Sequence, residues 1–323
     1  MDARLRSTVN RLDEPARTVA RYHFGWCDAR GRPTDSGSGK AIRPALVLLC
    51  SEAVGNEFER GIDAAVAIEL VHNFSLLHDD IMDVDSMRRH RPTVWSVFGV
   101  PAAVRTGDAL LALAVKALTY YPAPQATTAL HWLCDALLEM VDGQRADLSF
   151  ERDTNVELDD CLTMAAEKTA GLIGCACALG ALLGGAQESR VEPLRRFGRH
   201  LGLAFQLVDD ILGIWGNPRI TGKPVWSDLR ASKKSLPVVA ALTSRTAAGQ
   251  ALAALYLRSA PLDDDELARA VSLIEQAGGR RWVENCADWH LRTALTHLNA
   301  AHPSPAAAAQ LTAIAHLITH RSH

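Results

Sequence analysis

Apolar side chains recur at steps of three and four residues along most of this chain, and this spacing constrains the fold more than any other feature. It predicts helices over residues 1–24, 43–54, 61–83, 102–119, 126–148, 158–184, 191–215, 234–258, 263–278, 280–299 and 304–319. Glycine and proline interrupt the pattern at 31–39 and 216–234, which are predicted loops. No run alternates in the manner of a strand. The chain is therefore predicted to be all-α.

Composition narrows the architecture. The chain is 48% hydrophobic but only 6% aromatic, which favours helices that pack closely through small side chains. No linker-like segment divides the 323 residues, so a single domain over 1–323 is predicted. A formal net charge of −3 argues against nucleic acid as a partner, because surfaces that bind a nucleic-acid backbone carry an excess of basic residues.

The cysteines and the N-terminal segment bear on location. The seven cysteines are odd in number and lack the spacing of a zinc site, so reduced buried thiols are expected. The first 20 residues alternate charged and apolar types, unlike a signal peptide, and no uninterrupted apolar stretch approaches the ~18 residues of a membrane span. We expect a soluble, cytoplasmic protein without a membrane span.

Two acidic groups carry the strongest chemical signal. Asp79 and Asp83 are four residues apart and so share a helix face, about 5–6 Å from each other. At that distance two carboxylates repel by about 3 kcal/mol in a dielectric near 20, so a cation is expected there. Mg²⁺ suits the site because it binds one or two carboxylates and fills its shell with water and phosphate oxygens. Asp209 and Asp210 end a second apolar helix.

Basic residues follow each acidic group. Arg88 and Arg89 come after the first, and Lys223, Lys233 and Lys234 after the second. Carboxylates for metals together with separate cations for phosphate oxygens suit a diphosphate substrate. Each feature alone has a simpler interpretation: a solvated helix end for an Asp pair, a core histidine for His72, a surface cation for Arg43 or Lys168. The joint pattern favours the diphosphate site.

Several motifs in one order make the chain resemble the trans-isoprenyl diphosphate synthases, or polyprenyl synthetase family, over roughly residues 35–245. They are Gly39 to Pro44, Glu69 to Asp83, Arg88-Arg89 with Arg91-Pro92-Thr93, Gly143-Gln144, Lys168-Thr169, Phe205 to Asp210, Thr221 to Pro224 and Lys233 to Pro237. The resemblance implies an all-α isoprenoid synthase bundle around a central cavity, usually found as a homodimer.

The resemblance also implies residue roles. Three Mg²⁺ ions are expected at Asp79, Asp80, Asp83, Asp209, Asp210 and Asp228, with Asp79 and Asp83 on two ions and Asp209 on the third. The allylic diphosphate is assigned to Arg88, Lys168, Lys223 and Lys233, and isopentenyl diphosphate to Lys40, Arg43, His72 and Arg89. Catalytic roles fall to Lys168, Thr169 and Gln206, the last two with oxygens toward the developing allylic cation.

Four positions depart from the family pattern. Gly213 replaces the last Asp of the second motif, which predicts that one carboxylate is missing and that Gly213→Asp lowers the Mg²⁺ requirement. Trp226 replaces a common glycine, with consequences for the geometry of the second metal site. Ser38 and His90 also stand at glycine positions, and both substitutions are expected to be tolerated.

The predicted reaction joins isopentenyl diphosphate to dimethylallyl, geranyl or farnesyl diphosphate. Phe74, five residues before Asp79, and Ser75, four before it, match the pattern of synthases that make the C20 product, so geranylgeranyl diphosphate is predicted. Farnesyl diphosphate synthase, a class I terpene cyclase and a non-catalytic regulatory subunit are the alternatives. A cyclase has no need of Lys40, Arg43 and His72.

Overall fold

The all-α prediction is confirmed. A computed structural model describes residues 1–34, 39, 41–55, 58–150, 153, 155–217, 225–256 and 262–319. Its α-helices are α1 Asp2–Val9, α2 Ala16–His23, α3 Ile42–Ala53, α4 Ile62–Met82, α5 Val94–Phe98, α6 Val100–Leu118, α7 Gln125–Phe150, α8 Leu158–Ala165, α9 Gly171–Leu183, α10 Glu188–Trp215, α11 Ser227–Arg230, α12 Leu236–Leu242, α13 Ala247–Tyr256, α14 Asp264–Gln276, α15 Gly279–Ala300 and α16 Pro305–Thr319. A 3₁₀ turn occupies Phe58–Gly61, and a π-helical segment, Ala166–Ala170, joins α8 to α9.

Two predicted helices were wrong as continuous elements. Residues 1–24 form α1 and α2, separated by a turn before Pro15, whose ring and missing N–H disfavour a helix interior. The described part of the second, residues 234–256, forms α12 and α13. Between them the Ser244 hydroxyl bonds back to the Ala241 carbonyl, and the Thr246 hydroxyl accepts from the Gly249 N–H. Hydroxyl residues thus end one helix and begin the next by competing for backbone groups.

A short hairpin was missed by the periodicity. Strands β1 (Met87–Arg88) and β2 (Arg91–Pro92) pair antiparallel, with Arg88 opposite Arg91. The two loop residues, Arg89 and His90, both have positive φ, at 51° and 60°. Such a turn favours glycine, which explains why a glycine is common at position 90.

The described chain divides into two compact units. Unit 1 comprises Met1–Trp132, Ala176–Val191 and His302–Ala307, and unit 2 comprises Leu133–Cys175, Glu192–Ala301 and Ala308–His323. The single domain of the sequence analysis stays a prediction.

Unit 1 is built around α4, which packs against α3 and α6. Its helices approach closely through small residues. A Cβ at Gly180 would lie 2.9 Å from the Cys50 Cβ and closer still to the Val47 carbonyl oxygen of α3, so only glycine fits there. The low aromatic content of the sequence agrees with this kind of packing.

Unit 2 has two apolar cores that share α12. One is formed by side chains of α8, α10, α12 and α15, including Cys161, Leu207, Val239 and Val283. The other joins α12 to α11, α13 and α14. Residues 236–241 of α12 are all buried, so this helix is fixed on several sides and offers a rigid support for groups bonded to its ends.

One helical stretch of the described residues, Leu158–Leu183, is long and apolar enough to cross a membrane, and 78% of its most apolar window is buried inside the protein. The bent pair α12 and α13, with an angle of 117°, passes the same test only if taken together. All seven cysteines are free thiols, and five of them are buried: Cys27, Cys50, Cys161, Cys175 and Cys177.

Candidate active site

The first acidic cluster, Asp79, Asp80 and Asp83, lies in unit 1 where α4 ends. Asp79 and Asp80 occupy the last turn, and Asp83 follows as the C-cap, its N–H donating to the Asp79 carbonyl at 2.8 Å. Negative charge at a helix C-terminus opposes the helix dipole. Val84 then adopts a positive φ of 56°, a costly conformation for a β-branched residue. These features weaken the fold locally, which is typical of residues kept for chemistry.

The three carboxylates have different surroundings. Asp83 is exposed and Asp79 is partly exposed, whereas Asp80 is 1% exposed. The Arg88 Nε donates to Asp80 Oδ1 at 2.6 Å. Burial raises the pKa of Asp80 to about 6, although Arg88 opposes the shift. Asp80 therefore positions Arg88, and Asp79 and Asp83 are the more accessible pair for a cation.

A polar chain in unit 1 surrounds the residues assigned to isopentenyl diphosphate. Arg43 Nη1 lies 3.3 Å from His72 Nε2. The Asn73 amide donates to Glu69 Oε1 at 3.0 Å, and its oxygen faces His23 Nε2 at 3.0 Å. Glu69 is 5% exposed. Burial raises the pKa of Glu69, and Arg43 and Arg89 act against that shift.

The two histidines beside these arginines, His23 and His72, are held neutral. Burial lowers the pKa of His23 to about 3 and the pKa of His72 well below its usual value, and nearby arginines add to both shifts. A neutral His72 beside Arg43 leaves the guanidinium as the local positive charge. An anionic group would therefore be met chiefly by the arginines.

The loop before α3 reaches the same region. Gly39 has a φ of +80°, a backbone conformation that favours glycine, and a Cβ there would lie 2.7 Å from the guanidinium end of the flexible Arg89 side chain. Lys40, the next residue, lies outside the described residues, as does Ser38. A nearby pocket with about 390 Å³ of empty space is lined by Tyr22, His23, Asp80, Arg88, Arg89, Arg91, Pro92, Thr93 and Val94.

The two predicted chain-length residues lie on different faces of α4. The Phe74 ring packs edge-on against His78, with centroids 4.8 Å apart, and His78 Nε2 contacts the Val104 carbonyl of α6 at 3.2 Å. Ser75 is four residues before Asp79 and shares its face, and its hydroxyl bonds back to the His72 carbonyl at 2.9 Å. Phe74 thus lies on the α6 side of the helix, whereas Ser75 lies below Asp79.

In unit 2, Lys168 and Thr169 lie in the π-helical segment between α8 and α9. Two glycines allow neighbouring helices to approach it. A Cβ at Gly143 of α7 would lie 2.8 Å from the Lys168 Cα, and one at Gly202 of α10 would lie 2.6 Å from the Ala170 Cα. π-Helical turns often mark functional sites, and apolar periodicity does not reveal them.

One carboxylate that the sequence analysis missed organises the lysines of unit 2. Asp147 Oδ2 lies 2.6 Å from Lys168 Nζ and 4.0 Å from Lys233 Nζ. Burial alone would raise the pKa of Asp147, but Lys233 and Lys168 lower it below its ordinary value. Lys234 points elsewhere and donates to the Phe150 carbonyl at 2.7 Å. Lys233 and Lys234 therefore contact different partners. Asp147 could have been identified from the sequence because it follows the Gly143-Gln144 motif and shares a helix face with Gln144, three residues before it.

The residues assigned to the allylic cation form a hydrogen-bonded row. The Thr169 hydroxyl donates to Gln206 Oε1 at 2.8 Å, and the Gln206 amide donates to Asp210 Oδ1 at 2.8 Å. Asp210 Oδ2 accepts the Leu236 N–H at the start of α12 at 2.9 Å. Asp210 is 5% exposed, and burial raises its pKa to about 6. Both carboxylate oxygens of Asp210 accept hydrogen bonds from the protein, so Asp210 fixes the Gln206 side chain and the start of α12.

The second acidic pair, Asp209 and Asp210, is followed by Asp228 on α11. Asp209 is partly exposed and Asp228 is 9% exposed. Trp226 is the N-cap of α11, with a positive φ of 58° that favours glycine, so this departure strains the segment that carries Asp228. Lys223 lies outside the described residues.

The donor set fits Mg²⁺. Carboxylate oxygens are the ligands it prefers, and Asp79 with Asp83 in unit 1 and Asp209 with Asp228 in unit 2 provide them. Among the residues that the structure describes, no group of three or more acidic, histidine or cysteine side chains converges enough to hold an ion unaided. Mg²⁺ needs no such cage, because phosphate oxygens and water complete its shell.

Comparison with known proteins agrees with this chemistry. A family model described as polyprenyl synthetase matches residues 30–274. A (2E,6E)-farnesyl diphosphate synthase of Mycobacterium tuberculosis is 48% identical, over 98% of this chain and 89% of its own length. A geranylgeranyl diphosphate synthase of the same species is 45% identical, over 98% of this chain and 90% of its own. The crystal structure of a polyprenyl synthetase from Streptomyces coelicolor A3(2) has a TM-score of 0.93 and 47% identity, and covers 98% of this chain and 96% of its own. This chain therefore belongs to the polyprenyl synthetase family and is a trans-prenyl diphosphate synthase.

Proposed function

We propose that this enzyme condenses isopentenyl diphosphate with allylic diphosphates up to farnesyl diphosphate and releases geranylgeranyl diphosphate. The observation that carries the C20 assignment is Ser75. It is the residue one helical turn before Asp79 on the same face of α4, and its small side chain leaves room below the reacting end. The Phe74 ring, on the α6 side, packs against His78. One turn of helix is about 5.4 Å, a depth comparable to one isoprene unit.

The chain's own residues bind two anionic substrates. Arg43, His72 and Arg89, with Lys40, are proposed for isopentenyl diphosphate, supported by the buried Glu69 that keeps negative charge close to Arg43 and Arg89. Arg88, Lys168, Lys223 and Lys233 are proposed for the allylic diphosphate, with Asp80 and Asp147 positioning Arg88 and Lys168. Members of the family depend on Mg²⁺ in general, and three ions are proposed here, on Asp79, Asp83 and Asp209 with the neighbouring carboxylates, where they would offset the charge that grows on the leaving diphosphate.

The remaining groups guide the carbon chemistry. Cleavage of the allylic carbon–oxygen bond leaves the electron pair on the diphosphate and gives an allylic cation. The Thr169 and Gln206 oxygens are proposed to face that cation and stabilise it. The double bond of isopentenyl diphosphate then forms the new carbon–carbon bond, and loss of a proton to the departed diphosphate completes the step. Holding both substrates at reacting distance supplies much of the acceleration.

Farnesyl diphosphate is the second candidate product, favoured by the 48% identical relative that bears that name. Purified enzyme with Mg²⁺, radiolabelled isopentenyl diphosphate and each primer in turn, followed by chromatography of the dephosphorylated products, decides between them. We expect a C20 product from dimethylallyl, geranyl and farnesyl primers. A C15 product that is not extended would favour farnesyl diphosphate synthase. Absence of product with every primer would contradict the proposed activity. The Asp79→Ala variant, assayed in the same way, is the negative control.

We propose that the enzyme works as a cytoplasmic homodimer. Leu138 and Val141, on one face of α7, are 65% and 57% exposed, and a second copy would cover such apolar side chains. Light scattering of the native chain should give twice the monomer mass of 34.9 kDa. Leu138→Glu should shift the mass toward the monomer, whereas Leu317→Glu, at a leucine of α16 that is 69% exposed, should not.

A further inference from the structure

Gly213 lies directly against the carboxylate of Asp228, within unit 2. A Cβ at position 213 would lie 2.5 Å from the Asp228 Cγ and 2.7 Å from Oδ1, and closer still to Oδ2. Real Cβ atoms essentially never approach another heavy atom within 3.0 Å. The space in which a side chain at 213 would begin is therefore filled by the Asp228 carboxylate.

Both the side chain and the main chain of Asp228 are held in place. The Ser227 hydroxyl lies 3.3 Å from both the Gly213 carbonyl oxygen and Asp228 Oδ1, which joins α10 to α11 at this point. The backbone N–H of Lys233 donates to the backbone carbonyl of Asp228 at 2.8 Å, which fixes the main chain that carries the carboxylate. Asp228 is also 9% exposed, so moving it would disturb packed neighbours.

The position of Gly213 on α10 matters as much as the contact. It is four residues after Asp209, so the two share a helix face about one turn apart. A carboxylate packed on Gly213 therefore lies over the face of α10 that carries Asp209.

We infer that Asp228 supplies the carboxylate that the second acidic motif lacks at position 213, and that it can do so only because residue 213 has no side chain. The inference rests on the proposed function of Asp209 as a metal ligand. It reverses the expectation drawn from the sequence, in which Gly213 marked a missing ligand and Gly213→Asp restored it. A side chain at 213 displaces Asp228 instead of adding to it.

The test compares Gly213→Ala, Gly213→Asp, Asp228→Ala and the double variants Gly213→Ala/Asp228→Ala and Gly213→Asp/Asp228→Ala. The first readout is the thermal midpoint in EDTA, which involves neither metal nor catalysis. Gly213→Ala should lower the midpoint in the native background, because its Cβ meets Asp228. In the Asp228→Ala background it should raise the midpoint, because alanine is the better helix former once the space is free. This reversal of sign is the internal control for general damage to α10.

The second readout is Mn²⁺ binding in the presence of inorganic diphosphate, measured by electron paramagnetic resonance. Gly213→Asp and Asp228→Ala should each weaken binding by about tenfold or more. The double variant Gly213→Asp/Asp228→Ala, which moves the carboxylate to α10, should bind more tightly than either single variant.

Three outcomes would overturn the inference. In the first, Gly213→Ala lowers the thermal midpoint equally in the native and Asp228→Ala backgrounds. In the second, Gly213→Asp binds Mn²⁺ more tightly than the native chain, and in the third, Mn²⁺ binding by Gly213→Asp/Asp228→Ala is weakened by the sum of the two single effects. Failure of the proposed function has a different signature. In that case the native chain binds no Mn²⁺ with diphosphate, whereas the midpoints in EDTA still report on the contact.

Discussion

Asp147 Oδ2 lies 2.6 Å from Lys168 Nζ and 4.0 Å from Lys233 Nζ, so one partly buried carboxylate lies close to two lysines that come from different parts of the chain. The Asp147 side chain is 16% exposed, and those of Lys168 and Lys233 are 21% and 36% exposed. Without the carboxylate the two ammonium groups would repel each other in a poorly solvated site. We infer that Asp147 positions the two lysines that are proposed to bind the allylic diphosphate.

We predict that Asp147→Asn lowers the free energy of unfolding by about 1–3 kcal/mol, less than the loss of a fully buried pair because both lysines retain some solvent. The KM for the allylic substrate should rise, and the KM for isopentenyl diphosphate should stay near its native value.

Because the pKa of Asp147 is lowered, its stabilising contribution is present above pH ~4 and disappears as the pH falls through the folded pKa. Denaturant unfolding and initial rates measure these effects. Asp142→Asn, exposed on the same helix, is the control, and equal behaviour of the two variants would refute the role.

We predict that Asp79→Ala and Asp83→Ala each lower kcat by at least about 100-fold and leave the fold intact. Both carboxylates lie at the C-terminus of α4, where they oppose the helix dipole and repel each other. Their removal should therefore leave the thermal midpoint of the metal-free protein equal or higher. Steady-state rates measure the loss of kcat, and calorimetry measures the thermal midpoint. Near-native turnover in either variant would remove the metal assignment, and a lower midpoint would show a structural role instead.

Product length should respond to Ser75 more than to Phe74. Ser75→Phe places a ring on the Asp79 face of α4 and should shift the products toward C15. Phe74→Ala removes a ring that packs on His78, and should deepen the slot and extend the products beyond C20 if the floor reaches the α6 side. Chromatography of dephosphorylated products gives the distribution. Parental product length in both variants would mean that the floor is built by other residues.

The histidine pair of unit 2 predicts a pH dependence of stability away from the proposed site. His290 Nδ1 and His200 Nδ1 are 2.9 Å apart, His297 stacks on His200, and Trp289 packs edge-on against both rings of the pair. Burial lowers the pKa of His290 to about 4, with His200 adding to the shift. Between pH 6.5 and 4 the unfolded chain therefore binds a proton that the folded chain does not. The free energy of unfolding should fall as the pH drops through this window.

The expected loss from His290 is about 3 kcal/mol at most. His290→Gln keeps a hydrogen-bonding group without this titration, so its unfolding free energy should change less between pH 6.5 and 4 than that of the native chain. His316→Gln, exposed on α16, is the control and should behave like the native chain. An identical pH slope in the native chain and His290→Gln would contradict the prediction. Urea unfolding at several pH values measures it.

The sequence by itself was sufficient for the features that depend on local spacing. Apolar steps of three and four residues predicted α3, α4, α6, α7, α10, α14, α15 and α16 to within a few residues, because helix faces repeat every 3.6 residues. The same geometry put Asp79 and Asp83 on one face of a helix. The motifs from residue 39 to residue 237 were sufficient for the family, which the comparisons confirm.

Tertiary structure decided what each polar residue contacts. Asp80 and Asp210 resemble their neighbours Asp79 and Asp209 in sequence, yet one is paired with Arg88 and the other is bonded to Gln206 and to the start of α12. The partners of Asp147 are 21 and 86 residues away along the chain, beyond the reach of any helical period. In sequence Gly213 is only a motif position without a carboxylate, whereas packing brings the Asp228 carboxylate against it. Local spacing specifies which face of a helix a side chain occupies, but only the packing of distant segments determines which group meets it there.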